Sequence, residues 1–256
     1  MIKIKRYNRR NPQEEIMKQP IVISHERSGT HFLMNTLALN FGYIARPWID
    51  LDFCQKINLH SSKAVGNFFK QINEKMIFNI IKSHHPFEFF SDFIDYMVEH
   101  FHIFYIYRDP RDVMLSFWEL IQKLPWDEGP KTLSVSDFAR SEPRGAMLRY
   151  QKEQMKTVLH RWKKHIEGWT NFAQQNDNKI ILVKYEDLNL NFDKTVKQLG
   201  QKIVHPVEKP IKPSAYENVI MVGKAQVGRH RIYLIPEDYS FFNGIVGKTM
   251  TRLGYV

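Results

Sequence analysis

Ile21-Val22-Ile23-Ser24-His25-Glu26-Arg27-Ser28-Gly29-Thr30-His31-Phe32 is an apolar run that breaks into a short polar loop and then opens a helix. The run suits a buried parallel strand, which delivers the loop to the sheet edge. There the next helix offers its first unpaired N–H groups and the positive end of its dipole to an anion. Ser28 and Thr30 add hydroxyl donors, Gly29 lets an anion approach the backbone, and Arg27 supplies a permanent positive charge. The triphosphatase signature Gly-x-x-x-x-Gly-Lys-Ser/Thr is not met, because its first Gly and its Gly-Lys pair are both absent.

Three further runs end in polar joints of the same kind. Phe104-Tyr105-Ile106-Tyr107-Arg108-Asp109-Pro110-Arg111-Asp112-Val113-Met114-Leu115-Ser116 passes from strand to helix. Arg108 stands at the strand's end, and Pro110 suits a first helical turn, where its missing N–H costs nothing. Ser116 lies on that helix facing back toward the loop, so an arginine and a hydroxyl are available for a second phosphate. Ile80-Ile81-Lys82-Ser83-His84-His85-Pro86 ends in two histidines. An imidazole there is either a proton acceptor titrating near neutrality or a loop residue ahead of Pro86. Ile180-Ile181-Leu182-Val183-Lys184-Tyr185-Glu186-Asp187-Leu188 ends in adjacent carboxylates. Neighbours on a strand point to opposite faces, so Glu186 and Asp187 read as helix-entry residues, not as an acid–base pair.

Strand-like runs at 21–24, 77–82, 102–107 and 180–184 alternate with helical stretches, which predicts an α/β fold with a central parallel sheet flanked by helices. A chain of 256 residues, 43% hydrophobic and without a Gly/Ser/Pro linker, reads as a single domain over 1–256. Ligands of such sheets bind at the carboxyl ends of the strands, where all four motifs lie. Residues 1–19 read as a basic N-terminal arm. The stretch 120–147, interrupted by Pro125, Gly129, Pro130, Pro143 and Gly145, reads as an irregular lid over the site, whose pocket Phe87, Phe89 and Phe90 help to shape. Met155, Val158, Leu159, Trp162, Ile166 and Trp169 recur at helical spacing, as core packing or as an aromatic ligand wall.

The net charge of +10 is concentrated in two places: residues 1–10 hold five basic and no acidic residues, and 140–164 hold eight basic against two acidic. The second block is either a basic helix face or a field that draws an anionic ligand. No nucleic-acid-binding signature accompanies the charge, so no nucleic acid is expected. Cys54 is the only cysteine, no signal-like segment is recognisable, and no apolar run nears about 18 residues. A cytoplasmic protein without a transmembrane segment is expected. None of the eleven histidines pairs with Cys54 or a carboxylate at metal-ligand spacing, so no catalytic metal is expected.

Together these segments resemble the cytosolic-type sulfotransferase family, enzymes that use 3′-phosphoadenosine 5′-phosphosulfate (PAPS), from about residue 20 to about 231. The family usually reads Pro-Lys-Ser-Gly-Thr-Thr-Trp where this chain reads Glu26 to Phe32, so Arg27 takes the place of the lysine and Phe32 that of a tryptophan that stacks on adenine. The family's Lys-Thr-His-x-Pro pattern matches Lys82 to Pro86, with His84 in the catalytic place and Lys82 neutralising charge nearby. The resemblance implies a P-loop-kinase-like architecture and a cofactor site at Arg27, Ser28, Gly29, Thr30, His31 and Phe32. Ser28 and Thr30 would hold the 5′-phosphate, Arg108, Ser116 and Lys224 the 3′-phosphate, and Tyr185 would reach the adenine edge. The family's Arg-Lys-Gly-x-x-Gly-x-Trp-Lys appears here at 223–231 with only Lys224 and Gly228 matching outright. Its dimer signature is not recognisable in 231–237, which leaves the oligomeric state open.

The implied reaction moves a sulfuryl group from PAPS to a hydroxyl or, second in order, an amine of a small-molecule, lipid or sugar acceptor, and releases adenosine 3′,5′-bisphosphate. His84 would take the acceptor proton, and Arg27 and Lys82 would stabilise developing charge. Two other readings stand beside it. One is a nucleotide kinase-like phosphotransferase, and the other is a non-catalytic nucleotide-binding protein on the same scaffold.

Overall fold

A computed structural model describes residues 18–52, 57–58, 60–75, 77–177, 179–214 and 226–255. Its sheet comprises β1 (Gln19–Ser24), β2 (Ile44–Asp50), β3 (Asn79–Ser83), β4 (Phe101–Tyr107) and β5 (Ile181–Lys184), all paired parallel in the order β2-β3-β1-β4-β5. Every residue of β1 and of β3 is buried. The apolar runs at their centres, Ile21-Val22-Ile23 and Ile80-Ile81, follow, because helices cover both faces of a parallel sheet.

The helices are α1 (Thr30–Phe41), α2 (Ser62–Glu74), α3 (Ile94–His100), α4 (Pro110–Lys123), α5 (Val135–Arg140), α6 (Val158–Gln175), α7 (Tyr185–Leu190), α8 (Phe192–Lys202) and α9 (Pro236–Arg252). Alternate strand residues point to opposite layers. Val22, Ile80, Phe104, Ile106 and Val183 meet Leu33, Met34 and Leu37 of α1 and Val196 and Leu199 of α8. Ile21, Ile23, Ile81, Ile103 and Tyr105 face the other core, which holds Phe69 of α2, Phe117 of α4, Trp162 and Trp169 of α6 and Phe242 of α9. The chain leaves β1 toward β2 and β3 on one side and returns to β4 on the other, so the crevice at the carboxyl end of β1 is the point where the winding reverses.

The four expected strands are present with ends shifted by one or two residues, and Glu186 and Asp187 fall in the first turn of α7, as helix-entry residues should. The chain adds β2, which the sequence reading passed over because Pro47 interrupts it. Pro is tolerated on an edge strand, where one side of the backbone needs no ladder bond. β2 is such an edge, and its register with β3 shifts between Ile44 and Ile49. Val158, Leu159, Trp162, Ile166 and Trp169 are all buried in the core, while Met155 precedes the first turn of α6. Phe89 and Phe90 are likewise buried and pack in the core. The stretch 120–147 is less irregular than expected. It contains the end of α4 and all of α5, buries Phe138 and Met147, and is tied to α9 by Arg140 and Ser136 on Asp238. Residues 1–17 of the basic arm lie outside the described residues, and β1 begins at Gln19.

Phe69 is fully buried among Phe68, Phe90, Phe93 and Phe101, with ring centroids 5.4–6.3 Å away. This cluster ties α2 to β4 and to the turns that follow β3. Phe69→Ala should therefore lower unfolding free energy by about 3–5 kcal/mol in urea denaturation, with a smaller loss for Phe69→Leu. A loss below about 1 kcal/mol would mean the aromatic cluster is not part of the cooperative core.

Candidate active site

The loop after β1 is held in a conformation that few sequences adopt. Arg27 has φ 64° and Gly29 φ 99°. A side chain on Gly29 would be strained by that φ and would also overlap the Tyr185 ring packed beneath it. Arg27 is a non-glycine residue in the left-handed region, a strain that persists only where surrounding structure enforces it. The enforcement is visible on both sides of it: Glu26 is clasped by Arg161 of α6 with Nη2 to Oε1 at 2.6 Å, and Arg27 Nε donates to Ser116 Oγ at 3.1 Å. Ser116 thus does face back toward the loop from α4. Burial, then the neighbouring Arg108, holds the Arg27 pKa below its ordinary value. No side chain caps the first turn of α1. Buried Ser28 Oγ has no hydrogen-bond partner among the described residues.

Arg108 follows β4 and spans the loops. Its guanidinium lies 4.4 Å from the centroid of the Tyr185 ring, Nη2 donates to the Gln226 carbonyl at 2.8 Å, and Nη1 reaches the Arg27 carbonyl at 3.4 Å. Arg108 Nε, also buried, is a second donor with no partner among the described residues. Asp112, on the first turn of α4, anchors the C-terminal segment by accepting from the backbone N–H of Gly228 at 2.7 Å and of His230 at 2.9 Å. These bonds, with the His230 ring and Arg108, outweigh burial and hold the Asp112 pKa down to about 2. Arg229 forks onto Glu119. Gly228 therefore serves here as an anchored turn, and Lys224 lies outside the described residues. Phe32 is half-buried and meets Tyr185 edge-on at 6.2 Å. His31 packs edge-on against Trp48 at 5.7 Å, and burial, then Lys82, pushes its pKa down to about 3.

His84 follows β3 and turns back onto β1. Its Nδ1 lies 2.9 Å from the Ser24 carbonyl and 3.2 Å from Ser24 Oγ. A carbonyl can only accept, so Nδ1 carries the proton and Nε2 is the bare nitrogen of the neutral ring. Nε2 is 3.7 Å from Oδ2 of Asp52. Asp52 has a fully buried side chain; it accepts from the His84 backbone N–H at 3.0 Å and pairs with Lys82. Lys82 also reaches Asp50 Oδ1 at 3.2 Å. Burial, then the Lys82 charge, lowers the His84 pKa, and Asp52 opposes this. Burial would raise Asp52, but attraction to His84 and Lys82 outweighs it and holds the carboxyl below its ordinary value. His85 is bonded to Ser83 Oγ at 2.9 Å, lies 3.8 Å from Asp52 Oδ1 and packs tilted on Phe89 at 4.1 Å; burial holds it to about 4.

The sequence reading missed Asp52, Arg161 and His165. Asp52 was hidden because β2 itself was, although the alternation Ile49-Asp50-Leu51-Asp52 marks the end of a strand. Arg161 and His165 sit on the helix whose apolar stripe alone was read. Between His84, the uncapped turn and Arg108, the site offers a neutral base, a row of backbone and hydroxyl donors, and fixed cations. The unpartnered Ser28 and Arg108 donors and the Gly29 cradle fit an anionic ligand bearing more than one phosphate. Among the described residues no group of three or more His, Cys, Asp or Glu is arranged to hold a metal, and no helix is long and apolar enough to cross a membrane.

The sulfotransferase domain model matches residues 18–220. Cytosolic sulfotransferase 16 of Arabidopsis thaliana is 24% identical over 182 residues, 59% of this chain and 51% of that protein. Human sulfotransferase 2A1 is 22% identical over 192 residues, 73% of this chain and 61% of its own length. The chain therefore spans between about half and under two thirds of these curated relatives. Mouse sulfotransferase SULT7A1, crystallised in complex with PAP, superposes with a TM-score of 0.64 at 15% identity, covering 91% of this chain and 84% of that one. The sulfotransferase of Alicyclobacillus acidocaldarius superposes with a TM-score of 0.55 at 11% identity, covering 93% and 96% respectively. At these identities the structural likeness is one of fold, whereas the domain match runs through all four strand-end motifs. On that match, carried by a five-stranded parallel sheet with its polar loops gathered at one edge, the chain belongs to the sulfotransferase domain family.

Proposed function

We propose that this chain moves a sulfuryl group from PAPS to a hydroxyl, or in second place an amine, of an acceptor, with His84 as the base. The observation that carries the reading is the 2.9 Å bond from His84 Nδ1 to the Ser24 carbonyl. It leaves Nε2 bare and joins the base to the same loop that offers Ser28 and the first turn of α1. PAP in the mouse neighbour's crystal supports a nucleotide of that class here.

Ser28, Thr30 and the α1 N-terminus would hold the 5′-phosphate end, Arg108, Ser116 and Lys224 the 3′-phosphate, and Phe32 and Tyr185 the base. When bound, the nucleotide supplies an activated sulfuryl group on a phosphate leaving group. The residues of the chain do the rest. Neutral His84 takes the acceptor proton on Nε2 as the acceptor oxygen attacks sulfur. The imidazolium so formed lies within 3.7 Å of the Asp52 carboxylate, which is already ionised. Arg27, held by Ser116, presents fixed positive charge to the departing side with no reorganisation at the moment of reaction, and Lys82, paired with Asp50 and Asp52, balances charge beside His84. The acceptor approaches past Tyr150, whose ring meets His84 edge-on at 6.0 Å where the 120–147 stretch ends.

Isothermal titration at one salt concentration should show saturable binding of adenosine 3′,5′-bisphosphate and much weaker binding of ATP with magnesium. Preference for ATP would point to a phosphotransferase instead, and binding of neither would leave a scaffold without a nucleotide site. Arg108→Ala should weaken bisphosphate binding by about tenfold or more, because it removes a charged donor.

His84→Ala should cut turnover by about a hundredfold or more and leave bisphosphate binding intact. Unchanged turnover would remove His84 from the chemistry.

The base must be neutral to work, and its pKa is lowered by burial and then by Lys82. Activity should therefore be flat from neutral pH upward and fall as pH drops through a midpoint below the ordinary imidazole value of about 6.5. Asp52→Asn removes the anion that raises this pKa and the partner of Lys82, so the midpoint should move to still lower pH as kcat falls. A midpoint that rises in this variant would overturn the electrostatic assignment.

A further inference from the structure

The inner face of α6 takes no part in that mechanism, yet it is bonded to both halves of the site. Arg161, His165 and Trp169 recur every four residues and so share one stripe of the helix. Arg161 Nη1 donates to Glu26 Oε2 at 2.9 Å and to His25 Nε2 at 2.8 Å, while Nη2 donates to Glu26 Oε1 at 2.6 Å. One turn on, His165 Nε2 donates to the His84 carbonyl at 3.2 Å. A turn further, Trp169 Nε1 donates to the His85 carbonyl at 3.2 Å. The His25 and His165 rings meet edge to face with centroids 5.5 Å apart, so the grip on one loop touches the grip on the other.

The proton positions in this network are dictated by its partners. A guanidinium cannot accept, so His25 Nε2 accepts and His25 Nδ1 donates to the Glu26 carbonyl at 2.9 Å. A carbonyl cannot donate, so His165 is protonated on Nε2, and its Nδ1 accepts from the Tyr105 hydroxyl at 2.9 Å. All five groups, His25, Glu26, Tyr105, Arg161 and His165, are buried. Well-packed apolar side chains hold a helix on a sheet at least as well as a buried ion pair does. What the polar set adds is a definite distance from one rigid helix to each of two loops.

We propose that Arg161 and His165 are positioning residues that hold the phosphate-cradling loop and the His84 turn in fixed register to one another through α6. The proposal rests on His84 being the base, as argued above. Its physical content is that a base displaced by about 1 Å from its working position loses about a hundredfold in rate without losing its ligands.

Two measurements test it. Nitrogen-15 NMR of histidine-labelled, unaltered protein should find His165 protonated on Nε2 and His84 on Nδ1; a His165 protonated on Nδ1 overturns the network. This readout needs no substitution, so it decides even where a variant does not fold. Tyr105→Phe combined with His165→Phe removes both donors and leaves no hydroxyl orphaned, and His165→Gln keeps an amide donor in reach of the same carbonyl. The Phe pair should lower kcat by about ten- to a hundredfold with acceptor KM and bisphosphate affinity held, and His165→Gln should recover most of the loss. Wild-type kcat in the Phe pair, or an equal loss in His165→Gln at equal thermal stability, overturns the positioning role. Unaltered protein that neither binds bisphosphate nor turns over would defeat the sulfuryl-transfer reading, whereas the NMR result would still stand or fall on its own.

Discussion

The hydrogen bond between His84 Nδ1 and the Ser24 carbonyl orders the site, and it depends on two neighbouring strands ending at one level. β1 and β3 are adjacent and parallel with Ile23 opposite Ser83, so the chain leaves both strands at the same edge and the next residues face each other. A shift of register by one residue would turn the strand side chains to the wrong layer and carry His84 away from Ser24. The buried apolar residues of β1 and β3 therefore do more than make a core: they fix where an imidazole meets the loop after β1.

The same edge concentrates positive charge, and the chain balances it with buried acids. Lys82 stands between Asp50 and Asp52, Arg161 clasps Glu26, and Arg108 lies over the Tyr185 ring with Asp112 at 3.5 Å. An unpaired charge inside a protein costs several kcal/mol, so each cation here is held by an acid, a carbonyl or a π-face. Arg27 differs in that its Nε donates to a hydroxyl, Ser116 Oγ, while Glu119 attracts its charge.

Much of this was legible in the sequence because it depends on local pattern. The strand-loop-helix joints at Ser24–Thr30 and Tyr107–Pro110 are written as apolar runs followed by Gly, Ser or Pro at positions with few conformational alternatives. Gly29 is there because a left-handed turn and the Tyr185 ring leave no room for a side chain. The edge strand β2 was illegible because Pro47 breaks its pattern, and with it went Asp52, the carboxylate between Lys82 and His84. The aromatic segment at 87–90 was less legible, since nothing in a run of Phe distinguishes a pocket wall from a core. Packing against Phe69, Phe93 and Trp169 decided the matter for Phe90.

The sequence by itself determined the sheet, the loops at its carboxyl edge and the histidine-bearing turn after β3, because strand period, helix caps and turn residues act over a few neighbours. Only the tertiary structure decided which histidine turns toward the loop, which acid stands behind it and which helix backs them both. Those choices join Ser24 to His84, Asp52 to Lys82 and Glu26 to Arg161, pairs 30 to 135 residues apart in the chain. Nothing in the local pattern of a segment records what a segment that distant will place beside it.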